Sequence, residues 1–295
     1  MSWLDGIKKI YDKNYKILLA ISIGFLIFSC SVLAVNKLKT GEWLAKNVDL
    51  KGGVMLTVET NTDLDLNLLE QKLSKELGTT VSVRKLQGLG GGVIGYSFTT
   101  EPINVDVLLS AVSNATGMQL KEGTYTIDNV SGALGAHFWA NTVKILLLAF
   151  CAMAVVVIVY FRKLIPAFAV ILSAISDIVG TLAIATLLGI KLSLGGVAAL
   201  LMLIGYSVDT DILLSTKMLK REGEMQERIY SSIKTGLTMQ IASISAMAIL
   251  FFFTPSENLK QIALLLIIGL LCDVLNTWIQ NVGLLRWYLE SHGEH

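Results

Sequence analysis

Six apolar stretches, each close to the length that crosses a bilayer, constrain this chain more than any other feature. They run over residues 17–35, 142–161, 165–188, 192–214, 235–253 and 261–285. A hydrocarbon core about 30 Å thick takes roughly 20 apolar residues in a helix. In the bilayer only helices and closed barrels satisfy their backbone groups. Composition agrees: hydrophobic residues make up 53% of the chain and charged residues 16%, where a soluble domain carries about 25% charged. Mean hydropathy is +0.63. A disordered chain, a disulfide scaffold and a collagen-like repeat are excluded. Lys and Arg number 24 against 23 Asp and Glu, a net +1, so no polyanion-binding surface and no nucleic-acid partner follow. Cys30, Cys151 and Cys272 each lie inside an apolar stretch and read as small packing residues, without metal-ligand spacing. No metal or other cofactor is expected.

The loops set the orientation. Lys8, Lys9, Lys13 and Lys16 precede the first stretch, Arg162 and Lys163 separate the second from the third, and Lys217, Lys220, Arg221, Arg228 and Lys234 crowd the link between the fourth and fifth. The short links on the other side carry Lys191 and Lys260. By the positive-inside rule both termini are cytoplasmic, residues 1–16 and 286–295, and the chain is a multi-pass protein of the cytoplasmic membrane. The first stretch is too long for a secretory signal and reads as a retained helix.

This orientation leaves one large segment outside the cytoplasm, residues 36–141, long enough for one small domain. VMLTVE at 54–59 alternates and is rich in β-branched residues, which predicts a strand. Leu66, Leu69, Leu73 and Leu77 share one face of a helix over 64–77. Strands at 81–86 and 93–99 flank a glycine-rich turn at 88–92, a helix covers 105–115, and a last strand covers 125–130. The order βαββαβ predicts an extracytoplasmic ferredoxin-like α+β domain on a six-helix all-α membrane bundle. GLGGG at 88–92 joins strand to strand without a following helix or a GK[ST] ending, so it is not a phosphate loop. Asp49, Gly52 and Gly53 lead into the first strand, where paired glycines permit a backbone turn that a Cβ restricts.

Four carboxyls fall in or near the apolar stretches: Asp177, Asp209, Asp211 and Asp273. Each costs roughly 2.5–3.5 kcal/mol at a helix centre, so an intramembrane acid is either a functional relay or a buried hydrogen-bonded packing group. Asp209 and Asp211 point about 200° apart around a helix and cannot face one partner. Asp209 shares its face with Gly205 and is expected to be the most consequential acid, with Asp211 nearer solvent at the cytoplasmic end. Lys234 is the cation expected within reach of an intramembrane acid, or else snorkels to the interface. Serine, threonine, asparagine and glutamine concentrate in the third to sixth stretches, whereas the first two look like flanking anchors. The histidines, His137, His292 and His295, form no catalytic constellation with Ser or Cys, and no enzyme is expected.

Specific strings then point to a family. Gly205-Tyr206-Ser207-Val208-Asp209-Thr210-Asp211, followed by Lys217, resembles the fourth transmembrane helix of the SecF branch of the SecD/SecF protein-export membrane subunits. Asp49-Leu50-Lys51-Gly52-Gly53 resembles that family's D-x-x-G-G signature, Ser176-Asp177-Ile178 its helix-three aspartate, and Lys234-Thr235-Gly236-Leu237-Thr238 its helix-five opening. The resemblance covers essentially the whole chain and is archaeal in character. It implies work beside a SecD-like subunit and a SecY-type channel on translocating polypeptides in membrane lipid, with the proton gradient as energy source. The proton-relay candidates come from their place in or near the apolar stretches, Asp209, Asp177, Asp273, Asp211 and Lys234, and Asp273 has no counterpart in the family strings. Bacterial relatives carry the acid where Thr210 stands here, and Asp209 matches the acid of the SecD-type string G-x-x-V-D-A-N. Two other classes stay open from the residues: a proton-linked exporter of small molecules or lipids, and a non-energised scaffold of a membrane complex.

Overall fold

A computed structural model describes residues 3–291, except 63, 88–91, 121–122, 131, 221–223 and 255. Among the described residues, six helices are long and apolar enough to cross a membrane. The first is α1 (Trp3–Thr40), with non-helical dihedrals at Asn14. A single turn, α2 (Val48–Lys51), leads into β1 (Gly53–Glu59). Then follow α3 (Leu66–Leu77), β2 (Val81–Gln87), β3 (Val93–Thr100), α4 (Val105–Thr116) and β4 (Tyr125–Val130). The glycine-rich turn expected at 88–92 lies, at 88–91, outside the described residues.

The four strands pair antiparallel in the order β2-β3-β1-β4. Alternation explains the burial: Val54, Leu56 and Val58 of β1 and Tyr96 and Phe98 of β3 point to one face. There they meet Leu69 and Leu73 of α3 and Leu108, Ala111 and Val112 of α4. Both helices start and stop where local chemistry dictates. Asp65 accepts from the Leu68 amide at 3.2 Å and Asn104 from the Asp106 amide at 2.9 Å. Gly78 and Gly117 end the helices in the left-handed conformation. The other sheet face, with Met55, Thr57, Arg84, Ser97, Thr99 and Asp128, borders a cavity of about 280 Å³ shared with Ser256, Asn258 and Gln261.

The remaining helices are α5 (Gly132–Phe161), α6 (Leu164–Leu187), α7 (Leu194–Lys220), α8 (Met225–Phe253) and α9 (Glu257–Leu275). After α9 the chain widens into a π-helical stretch, Asn276–Asn281, and returns to α-helix in α10 (Val282–Ser291). The spans differ in how much they bury. About 61% of the window in α6 and 61% in the last span are buried, against 11% in α1, 17% in α5 and 11% in α8. The first two helices are therefore peripheral as expected, and the fifth joins them. It turns Met225, Ile229, Ser232, Gly236 and Gln240, three or four residues apart, into the bundle. It also begins ten residues before the expected 235, because Met225–Lys234 is amphipathic rather than apolar.

Gly236 makes this contact possible. A Cβ there would stand 2.2 Å from Cζ2 of Trp278, whose indole is buried and donates to Gln240 Oε1 at 2.7 Å. Gly236→Val should displace that ring and lower stability by about 1–3 kcal/mol, as overpacking does. The measurement is thermal unfolding of the purified protein in mild detergent, and an unchanged midpoint would contradict this packing.

Candidate functional site

Three of the four carboxyls come together. Asp177 of α6, Asp211 of α7 and Asp273 of α9 are each 0% exposed, and they interact electrostatically with one another. The π-helical stretch supplies much of what holds them. Widening the helix turns Asn276, Thr277, Gln280 and Asn281 together into the bundle, all fully buried. Asn276 Nδ2 donates to Asp177 Oδ1 at 2.8 Å, and Ser207 Oγ donates to Asp177 Oδ2 at 2.6 Å. Asn281 Nδ2 donates to Asp211 Oδ1 at 2.6 Å. Gln240 Nε2 reaches Asp273 Oδ2 at 2.6 Å from α8. Gln280 exchanges hydrogen bonds with Ser176 and accepts from Ser22 of α1 at 3.1 Å.

Two hydroxyls bridge acceptors. Thr277 Oγ1 lies 2.7 Å from Asp273 Oδ1 and 3.0 Å from Asp211 Oδ1. Thr210 Oγ1 lies 3.1 Å from Asp273 Oδ2 and 2.9 Å from the Ser207 carbonyl. A hydroxyl has one proton to give. Each can therefore serve one acceptor at a time, and the network has alternative arrangements of nearly equal geometry. Among the described residues every donor to the three carboxyls is neutral.

Asp209 departs from expectation. It lies on the exposed side of α7, in line with Gly205, where a Cβ would meet nothing within 4 Å. Asp211, expected near solvent, is the one of the pair that is buried, because α7 runs on to Lys220 and keeps 211 within the bundle. Lys234 is exposed on α8. The more buried cation is Lys217, which donates to Ser231 O at 2.9 Å and Thr235 Oγ1 at 2.8 Å. Ser207 contacts Asp177, and Tyr206 packs against the apolar cluster of the bundle. Gln240, Asn276, Thr277 and Asn281 were visible in the sequence as polar residues in apolar stretches. Their convergence on the acids was not, since it needs the π-helical widening.

The D-x-x-G-G string joins the sheet to this bundle. Leu50 is 1% exposed and packs in the apolar cluster with Phe138 and Trp139 of α5. Gly52 and Gly53 take φ of +86° and +146°, which turns the chain from α2 into β1. Just before it, Asn47 N donates to Leu192 O and Leu192 N to Ala45 O, both at 2.8 Å. Leu192 belongs to the link between α6 and α7. Gln261 of α9 secures the same link, donating to Lys191 O and accepting from Ser193 Oγ. Lys191 is half-buried there, and desolvation, then the Arg84 guanidinium, hold its ammonium pKa below the ordinary lysine value.

These features define a polytopic membrane protein with a polar, carboxyl-centred core and a sheet domain tied to the ends of its central helices. Residues 109–291 match the family described as protein export membrane protein SecD/SecF, C-terminal. The protein-export membrane protein SecF of Methanocaldococcus jannaschii is 36% identical over 287 residues, covering 95% of this chain and 98% of that protein. Its counterpart from Methanothermobacter thermautotrophicus is 39% identical over 292 residues, covering 94% of each. The crystal structure of SecDF, a translocon-associated membrane protein from Thermus thermophilus, shares the fold, with a TM-score of 0.72 at 18% identity. The match covers 94% of this chain and 38% of that one. The chain belongs to the SecF branch of the SecD/SecF family of protein-export membrane proteins.

Removing one carboxyl strands its donors. Asp177→Ala leaves Asn276 and Ser207 without acceptors and should cost about 1–3 kcal/mol for each stranded donor, whereas exposed Asp209→Asn should stay within about 0.5 kcal/mol. Thermal unfolding of the two variants side by side checks this, and an equal loss in both would refute the assignment of inner and outer faces.

Proposed function

We propose that this chain is the SecF-type subunit of a complex that assists protein translocation across the cytoplasmic membrane, powered by an ion gradient, with the proton as the ion the family resemblance implies. The buried carboxyl network carries this reading. Three acids held by neutral donors, with two hydroxyls that each choose between acceptors, form an element with more than one hydrogen-bonded state. Binding or release of positive charge favours one state over another only if the states differ in affinity. Asp177, Asp211 and Asp273 are the charge-bearing groups of this cycle.

The sheet domain is the output. Its βαββαβ order and strand order support a ferredoxin-like assignment, and the cation asymmetry of the loops supports an extracytoplasmic position with both termini inside. A shift of the α6–α7 link reaches β1 through the Leu192 backbone pairing and the Leu50 anchor, without a flexible linker between. The exposed stripe of α7 with Gly205 and Asp209 suits a close helix from a SecD-like partner, since small residues permit approach and a membrane carboxyl needs a polar neighbour. A SecY-type channel and the translocating polypeptide complete the assembly.

Two measurements test this. In proteoliposomes holding the chain with its SecD-like partner and a SecY-type channel, an imposed proton gradient should stimulate export of a secretory protein. Asp273→Asn should abolish that stimulation while assembly persists. Gradient-independent export by the wild type would favour a scaffold role, and coupled movement of a small solute instead would favour an exporter.

A cysteine at exposed position 76 of the sheet domain should react with a membrane-impermeant thiol reagent on intact cells, above the background of the unsubstituted chain. Labelling seen only after lysis would overturn the topology.

A further inference from the structure

One group of buried oxygens goes unused by the network. Asp211 takes both its donors, Thr277 and Asn281, on Oδ1, and its Oδ2 has no hydrogen-bond partner. The Asn281 amide, seated on that same carboxylate through Nδ2, leaves its own Oδ1 unsatisfied and fully buried. Ser215 lies one helical turn beyond Asp211 on the same face of α7, 0% exposed, with its Oγ unsatisfied. Ser173 of α6, also 0% exposed, interacts through its side chain with Asp211. Buried polar atoms in folded proteins are almost always partnered, so several orphans around one carboxylate call for a cause.

The chemistry of these atoms narrows it. Asp211 Oδ2 is an acceptor while the carboxylate is ionised, Asn281 Oδ1 is always one, and a serine hydroxyl can turn to present its lone pairs. A water molecule gives two protons and no charge, while the side chains that donate to Asp211 are neutral and leave its ionised form uncompensated. A cation answers both needs. The set holds one carboxylate among neutral oxygens and no sulfur or imidazole, which suits a hard monovalent ion; a divalent ion collects more carboxylates. In Asp177 and Asp273, by contrast, both oxygens already accept from side chains.

We propose that Asp211 Oδ2, Asn281 Oδ1 and Ser215 Oγ, joined by Ser173 Oγ, form a sodium site between α6, α7 and the π-helical stretch. The place of this site in a transport cycle rests on the ion-coupled reading above, but the binding itself does not. Sodium held there neutralises Asp211 and draws Asn281 and Ser215 together, which ties the π-helical stretch to α7.

The test uses the full chain purified in mild detergent, with unfolding followed by tryptophan fluorescence while NaCl replaces choline chloride at constant ionic strength. Sodium should raise the unfolding midpoint saturably, as any ligand of the native state does. The same concentrations of KCl should give less than a tenth of the shift. Ser215→Ala and Asp211→Asn should each raise the half-saturating sodium concentration at least tenfold. Ser245→Ala, on the exposed side of α8, should titrate as the wild type. If Asp211→Asn fails to fold, Ser215→Ala decides alone. No sodium-specific shift in the wild type, an equal response to potassium, or unchanged titration of Ser215→Ala would overturn the site. A chain that binds no sodium yet exports on a proton gradient refutes this site and leaves the coupled function standing. A chain that binds sodium but exports regardless of any gradient does the reverse.

Discussion

The structure depends on carrying three carboxyls into a region that rejects charge. A lone acid at a helix centre is costly, and the chain offsets that cost by surrounding each with amide and hydroxyl donors rather than with a lysine or arginine. This choice determines which helices lie inside. The third, fourth and sixth spans must meet to close the network, and they are the ones buried over half or more of their length. The first and fifth touch it from outside, through single groups such as Ser22 and Gln240.

Neutral partners also keep the network adjustable. A salt bridge of carboxylate and guanidinium has one best geometry, whereas an amide or hydroxyl can serve either of two acceptors at similar distance. Thr277 and Thr210 are placed to do so. The sheet domain joins this core through short backbone contacts at Leu192 and anchoring side chains such as Leu50.

Much of this was legible in the sequence. The six spans, the four strands and the two helices of the sheet domain follow from hydropathy and alternation, and the observed bounds of the strands differ by one residue at most from those expected. Leu69 and Leu73 were readable as core from their spacing. The site was readable only as an inventory: Asp177, Asp211 and Asp273 stood out as acids in apolar stretches, but nothing in their separation along the chain says they meet. Asp209 and Asp211 could be assigned to opposite faces, yet not to inside or outside, because α7 has apolar residues all round and no amphipathic pattern to orient it. Lys234 was readable either as a partner of the acids or as a lysine reaching the interface. Its place at the start of an apolar stretch put it near the acids on paper, while the helix extends ten residues further back and turns that position outward.

The π-helical stretch sets a phase between the two halves of the last span. Each residue of an α-helix accounts for 100° of rotation and 1.5 Å of rise. The widened turns of Asn276–Asn281 hold the following α10 out of the phase that a continuous α-helix would give it. Tightening that stretch to α geometry would rotate Asn281 and everything beyond it about the helix axis, away from Asp211, while Asp273 stayed in place. Arg286 and Glu290, which meet Tyr15 of α1 at the far end of the span, would be carried round with it. The six residues between therefore act as a screw thread that links the state of a buried carboxyl to the seating of the first helix against the last.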